Sequence, residues 1–280
     1  MDYKQFAELI MIEQTLFSLP FALIGVLFAG GGTVTAWLLV IVALAAARTA
    51  GMSFNRVIDA EIDGRNPRTR ERALPQGEVS PGAVWATAVA ASLIFILAAW
   101  LLNPLCFYLS FPAVFLLFTY SFLKRFTASA HFYLGLIEAA APIGGYIAVT
   151  GRVDGVAVIL GLAIMAWIAG LDIIYAFQDI DFDTRENLHS LPVALGRDKS
   201  LRISGACYLI ALAALVLAGL MTSKNGPYWI TLLLVAGLFG FQQILARRAR
   251  DGAAAPKIFT ANTLIAPLLF AGTLIDLGVG

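Results

Sequence analysis

Residues 55–63 read Asn55-Arg56-Val57-Ile58-Asp59-Ala60-Glu61-Ile62-Asp63, "NRVIDAEID", and their place in the chain decides how it folds. Upstream, residues 14–47 carry no charge; downstream come Arg65, Arg68, Arg70 and Arg72 in "RNPRTRER". A bilayer core about 30 Å thick is crossed by about 20 helical residues, so the uncharged stretch is too long for one crossing. The triple glycine Gly30-Gly31-Gly32 divides it into two spans. The acidic segment therefore sits at the mouth of the second span.

Outward from that mouth, further apolar spans fall at roughly 81–101, 104–123, 130–150, 155–178, 203–223, 227–246 and 258–276, which predicts an all-α bundle of nine transmembrane helices. No segment has the alternation of a membrane barrel. Over 280 residues the composition is 60% hydrophobic and 13% charged, with a mean hydropathy of +0.83. Soluble domains carry about 25% charged residues, so the solvent of this chain is the lipid bilayer. A net charge of +1 argues against a nucleic-acid partner. Cys106 and Cys207 stand far apart inside apolar runs and read as buried small residues. The opening "MDYKQFAELIMIEQ" lacks the order of a cleaved signal and is read as part of the mature protein.

With the N-terminus inside, Lys4, Arg250 and most other basic residues fall on the cytoplasmic side, and only Arg152 and Lys224 of the 19 lysines and arginines fall outside. That bias predicts a multi-pass protein of the cytoplasmic (inner) membrane whose acidic mouth faces the cytoplasm.

Asn55, Asp59 and Asp63 recur every four residues, so on a continuing helix they form one polar stripe, with Arg48 two turns deeper. Two carboxylates about 5 Å apart at an effective dielectric near 20 repel by about 3 kcal/mol, so they stay ionised only beside cations. A second copy, "DIIYAFQDIDFDTREN" at 172–187, carries Asp172, Tyr175, Asp179 and Asp183. Asn55 and Tyr175, Asp59 and Asp179, and Asp63 and Asp183 are each 120 positions apart. Lys124-Arg125 and Arg247-Arg248 close the fourth and eighth spans. The pattern predicts one domain, 1–280, with an internal pseudo-repeat of four helices, about 1–125 and 126–250, plus a ninth helix. An even number of spans per unit puts both acidic stripes on the same side. Carboxylate and amide oxygens favour a hard ion such as Mg2+, which tends to bind carboxylates together with substrate phosphate oxygens. Arg68, Arg70, Arg72, Lys124 and Arg125 supply charge for a diphosphate, and the apolar interior suggests that its other end is a lipid.

These motifs resemble the UbiA superfamily of intramembrane aromatic prenyltransferases over nearly the whole chain. "NRVIDAEID" is similar to the family's Asn-Asp-x-x-Asp-x-x-x-Asp, "RTRERALPQG" to its Arg-Thr-x-x-Arg-Pro-Leu, and "DIIYAFQDIDFD" matches Asp-x-x-Tyr-x-x-x-Asp-x-x-x-Asp completely. "YSFLKRFT" resembles Tyr-x-x-x-Lys-Arg-x-Thr, and "LGLIEAAAPIGGYIAVTG" resembles the fifth helix. Three residues depart: Arg56 replaces the first aspartate, Ala73 a usual proline, and His189 a common lysine.

The resemblance implies Mg2+-dependent transfer of a polyprenyl group from a polyprenyl diphosphate to an aromatic acceptor. The acceptor is a hydroxyaryl carboxylate of the 4-hydroxybenzoate type or, in a menaquinone (futalosine-type) branch, a dihydroxynaphthoate. It implies one Mg2+ on Asn55, Asp59 and Asp63 and a second on Asp179 and Asp183. Arg68, Arg72, Lys124 and Arg125 would neutralise the departing pyrophosphate, and aromatic rings would shield the allyl cation. Asp172 and Tyr175 would position the acceptor or leaving group, or else brace each other.

Glu138 in mid-membrane is either an acceptor-pocket residue or a neutral structural acid. Arg48 either binds the acceptor carboxylate or pairs with the stripe. Glu13 faces the same interior or the interface, His131 is placed at the interface, and His189 is a phosphate donor or a loop residue. "ARRARD" at 246–251 reads as an anchor on anionic lipid. The rival reading is a secondary transporter, which should place its charges near the midplane on broken helices.

Overall fold

The computed structural model describes Leu9, residues 12–248 and residues 255–279. Lys4, Arg250 and the side chain of Glu13 lie outside the described residues. The long helices are α1 (Ile12–Phe28), α2 (Val34–Ile58), α3 (Pro81–Leu102), α4 (Pro104–Leu123), α5 (Ala130–Thr150), α6 (Gly155–Tyr175), α7 (Arg197–Met221), α8 (Gly226–Arg248) and α9 (Ala255–Val279). Among the described residues, α2 to α9 are eight helices long and apolar enough to cross a membrane. α1 is described over 17 residues and is apolar over Phe17–Phe28, compatible with the ninth span. The all-α membrane fold expected from the sequence is observed.

Local sequence sets where these helices start. Gly30, Gly31 and Gly32 adopt φ of 90°, 93° and 69°, a run that side chains would disfavour, and the turn opens directly into α2. Thr33 caps that helix by accepting from the Ala36 amide at 3.2 Å. Asn103 ends α3 in extended backbone and caps α4, its Oδ1 accepting from the Cys106 amide at 2.9 Å ahead of Pro104. Asp154 caps α6 through the Val156 and Ala157 amides. α7 begins at Arg197, before the expected 203, because its polar first turn still buries Ser200, Leu201 and Ser204.

α1 and α5 cross at the centre of the bundle. A Cβ on Gly25 would overlap the Pro142 carbonyl and meet the Tyr146 amide; one on Gly145 would overlap the Ala22 carbonyl and meet the Val26 amide. Each contact maps onto the other by a shift of 120 positions, the reciprocal pattern of a two-fold axis. α2 packs on α3 and α6 packs on α7 in the same way on either side.

α6 is largely buried, and its Trp167 lies edge-on between Phe21 of α1 at 5.0 Å and Phe239 of α8 at 5.4 Å. Phe239 stacks on Tyr208 of α7 at 4.3 Å. The polar tips are satisfied: Trp167 Nε1 donates to Asn262 Oδ1 at 2.8 Å, and the Tyr208 hydroxyl donates to Gln242 Oε1 at 2.7 Å. Leu38, Leu93, Trp100, Phe115, Leu209 and Leu233 are exposed on the outside, as a lipid-facing surface requires. Cys106 and Cys207 are free and buried, as expected.

Candidate active site

Neither acidic segment lies on an unbroken helix, a correction to the continuous stripe. α2 ends at Ile58, Asp59 departs to φ −94° and ψ 4°, and a short helix, Ala60–Arg65, follows. α6 ends at Tyr175, a 3-10 turn spans Ala176–Gln178, Asp179 sits at φ −106° and ψ 6°, and a short helix, Ile180–Arg185, follows. Aspartate tolerates this bridge-region backbone better than bulky side chains do. Hydrogen bonds four residues back survive each break, from Asp63 N to Asp59 O at 2.8 Å and from Asp183 N to Asp179 O at 2.7 Å. The acids therefore stay in register while each segment bends.

Cations answer the carboxylates individually. Arg68 grips Asp179 with two bonds, Nε to Oδ1 at 3.0 Å and Nη2 to Oδ2 at 2.9 Å. Arg72 donates to Asp63 Oδ2 at 2.5 Å, and the buried Arg56 lies 3.9 Å from the same oxygen. Where the resemblance leads one to expect an acid, this chain thus puts a cation beside Asp63. Arg125 donates to Asp59 Oδ1 at 3.2 Å and to the Ile58 carbonyl at 2.8 Å. Asn55 donates to Asp59 Oδ2 at 2.8 Å and to Ser121 Oγ at 3.2 Å. Lys124 lies within electrostatic reach of Asp59, Asp172 and Asp183, and so faces both segments.

Burial pushes Asp59 up to about 6, with the Asp63 charge adding and Arg125 opposing. Burial likewise raises Asp183 above the ordinary carboxylate range, with Lys124 opposing. Asp183 Oδ2 is buried and has no hydrogen-bond partner. Among the described residues no three acidic, histidine or cysteine side chains yet surround one point. The donors that could hold a metal are the oxygens of Asn55, Asp59, Asp63, Asp179 and Asp183. The orphaned Asp183 oxygen and the all-oxygen set fit a hard divalent ion.

One helical layer deeper, Arg48 pairs with Glu138, whose Oε2 also accepts from Ser18 Oγ at 3.1 Å. Arg48 thus reaches inward to Glu138. The Tyr120 hydroxyl lies within electrostatic reach of Asp59, Asp172, Glu138 and Arg48, bridging the two layers.

His131 is fully buried at the start of α5, with Nδ1 at 2.6 Å from Asp172 Oδ2. Its Nε2 accepts from the Leu191 amide at 3.2 Å. Asp172 is therefore paired with His131 and not with Tyr175. Tyr175 is partly exposed at the mouth, within reach of Arg68 and 6.2 Å from the Phe259 ring. The exposed His189 contributes its backbone, donating to the Lys124 carbonyl at 2.7 Å.

The sequence reading did not single out Ser18 or Ser121, or the burial of His131. Only Ser18 left a signal, standing 120 positions before Glu138.

The family model for the UbiA prenyltransferase family matches residues 18–264. The chain belongs to the UbiA prenyltransferase family. It is a membrane prenyltransferase, and the transporter reading is set aside.

It is 34% identical over 229 residues to a 4-hydroxybenzoate octaprenyltransferase of Aeromonas hydrophila, covering 82% of this chain and 79% of that one. A Pectobacterium carotovorum protein of the same name is 32% identical over 277 residues, covering 98% and 93%. The fold matches the apo structure of a UbiA homologue from Aeropyrum pernix with a TM-score of 0.88, 31% identity and coverage of 95% and 98%. A UbiA homologue from Archaeoglobus fulgidus, solved with GPP and Mg2+, shares the fold at a TM-score of 0.72 and 18% identity, covering 98% and 99%.

Proposed function

We propose that this prenyltransferase moves a polyprenyl group from a polyprenyl diphosphate to the ring of a 4-hydroxybenzoate-type acceptor. The observation that carries the reading is the convergence of two acidic segments on one mouth, interleaved with Arg68, Arg72, Lys124 and Arg125. The relatives' names support the acceptor, and the homologue that binds GPP with Mg2+ supports the donor and the metal. The asymmetry of basic residues supports a mouth facing the cytoplasm.

Asn55, Asp59 and Asp63 on one side, and Asp179 and Asp183 on the other, would hold Mg2+ between them. When bound, Mg2+ supplies charge that stabilises the departing pyrophosphate. Guanidinium groups bind phosphate in the same forked manner as carboxylate, so Arg68 and Arg72, which pair with Asp179 and Asp63, can also grip the diphosphate. Lys124 and Arg125 hold the pyrophosphate between the segments.

The carbon–oxygen bond of the donor breaks, and its electrons leave with pyrophosphate. Phe54, Phe118 and Phe122, whose rings pack edge to face at 5.4 and 5.5 Å, shield the allyl cation from water. A ring carbon of the acceptor attacks that cation, and the proton on this carbon then passes to the released pyrophosphate, which restores aromaticity. Arg48, shared with Glu138, binds the acceptor carboxylate, and Asp172 receives a hydrogen bond from its hydroxyl.

The test uses purified protein in lipid vesicles with a polyprenyl diphosphate, Mg2+ and hydroxyaryl carboxylates. Prenylated 4-hydroxybenzoate is the expected product. Transfer to a dihydroxynaphthoate alone would move the assignment to the menaquinone branch, and failure to release pyrophosphate with any acceptor would overturn it.

A further inference from the structure

We infer that His131 is a positioning residue for the acceptor, holding the Asp172 carboxylate in place from a ring that is itself anchored on the backbone. The inference rests on the acceptor reading above. A backbone amide can only donate, so the Leu191 amide at 3.2 Å assigns the Nε2 lone pair as acceptor. The ring proton is therefore on Nδ1, which donates to Asp172 Oδ2 at 2.6 Å. Both nitrogens of a fully buried, neutral imidazole are committed, and the ring cannot turn without orphaning the Leu191 amide.

Asp172 is thereby fixed by one oxygen, while 22% of its side chain remains exposed. The carboxylate lies within reach of Lys124 and Tyr120, between the acidic mouth and the Arg48–Glu138 layer. An acceptor whose carboxylate meets Arg48 would present its hydroxyl to a hydrogen-bond acceptor in such a place. An ionised carboxylate held at a fixed angle performs that task; a swinging one would exchange the bond for water or Lys124.

The anchor joins the acceptor side to the diphosphate side. Leu191 follows the segment in which the Leu188 amide donates to the Asp183 carbonyl at 2.8 Å and the His189 amide to the Lys124 carbonyl at 2.7 Å. The backbone that fixes His131 is thus stitched to Asp183 and Lys124, the groups that face the diphosphate.

Full-length protein in vesicles is assayed for acceptor KM and kcat with 4-hydroxybenzoate and a polyprenyl diphosphate. Binding of a non-hydrolysable prenyl thiodiphosphate with Mg2+ is measured separately by calorimetry. His131→Phe keeps a ring but neither nitrogen, and is expected to raise acceptor KM by about 10-fold or more with donor-analogue affinity within about 2-fold. His131→Gln offers an N–H to Asp172 and a carbonyl to Leu191, and should restore most of the lost acceptor affinity. Acceptor KM unchanged in both variants would overturn the inference, as would KM and donor affinity worsening together without rescue by glutamine. A wild type that binds the donor analogue but prenylates no acceptor would instead overturn the acceptor reading, and this inference with it.

Discussion

At Asp59 and at Asp179, 120 positions apart, the backbone leaves helical geometry by nearly the same amount, φ −94° and ψ 4° against φ −106° and ψ 6°. The cations that answer the acids are not duplicated. Arg125 meets Asp59, Arg72 and Arg56 meet Asp63, and Arg68 crosses over to Asp179, so all four come from the first half of the chain. Asp183 is left with an orphaned oxygen. A pair of similar acidic segments can provide ligands from two sides, but one diphosphate between them needs its cations only once. Arg68 then becomes both a counter-ion and a strap between the halves.

The comparison breaks most severely if either segment loses its carboxylate. Asp59→Ala and Asp183→Ala should each lower kcat by about 10³-fold or more, because the two segments hold one charge together. Turnover surviving either change in the vesicle assay would remove the metal assignment.

Next in size is the strap. Arg68→Ala should cost about 10²-fold in kcat/KM, and Arg68→Lys should recover little of it, since a point charge cannot reproduce the forked bond to Asp179 or phosphate. Full activity in Arg68→Lys would show that charge alone suffices.

A smaller effect concerns stability and sharpens the contrast from the first segment's side. The folded value of about 6 for Asp59, above the ordinary 3.8, means that the folded protein binds this proton more tightly than the unfolded chain. Metal-free protein should therefore gain stability as pH falls through about 6. At higher pH the ionised group costs about 3 kcal/mol in the metal-free protein. Asp59→Asn should raise the unfolding temperature of the chelator-treated protein above pH 6, and an unchanged or lower value there would refute the burial argument.

The smallest change should come from Arg65→Ala. This half-exposed side chain pairs with Glu61 at 3.1 Å and with Glu186 at 3.0 Å, between the segments but on the solvent side. Its loss should shift stability by less than about 1 kcal/mol and leave kcat within about 2-fold, as unfolding and steady-state assays would register.

Much of this arrangement was legible in the residues. A charge-free run divided at three glycines placed α1 and α2, the recurrence of aspartates every four residues marked both acidic segments, and the even number of spans between them put both at one end. Spacing along a helix is local, so it survives into the fold. The burial and partner of His131 were not legible, because Asp172 lies 41 residues away along the chain. Arg56 was read as a missing ligand because sequence shows a replacement and not its direction. Buried 3.9 Å from Asp63, it adds a positive charge where a negative one was subtracted.

The sequence by itself determined the solvent, the helices, the family and the acidic residues, because composition, period and motif are properties of neighbours along the chain. Only the tertiary structure decided which cation meets which carboxylate, that Arg48 turns to Glu138 and that His131 locks Asp172. Those pairings join residues 7 to 111 positions apart, and where the α1–α5 crossing leaves each side chain decides which charges come within a few ångströms.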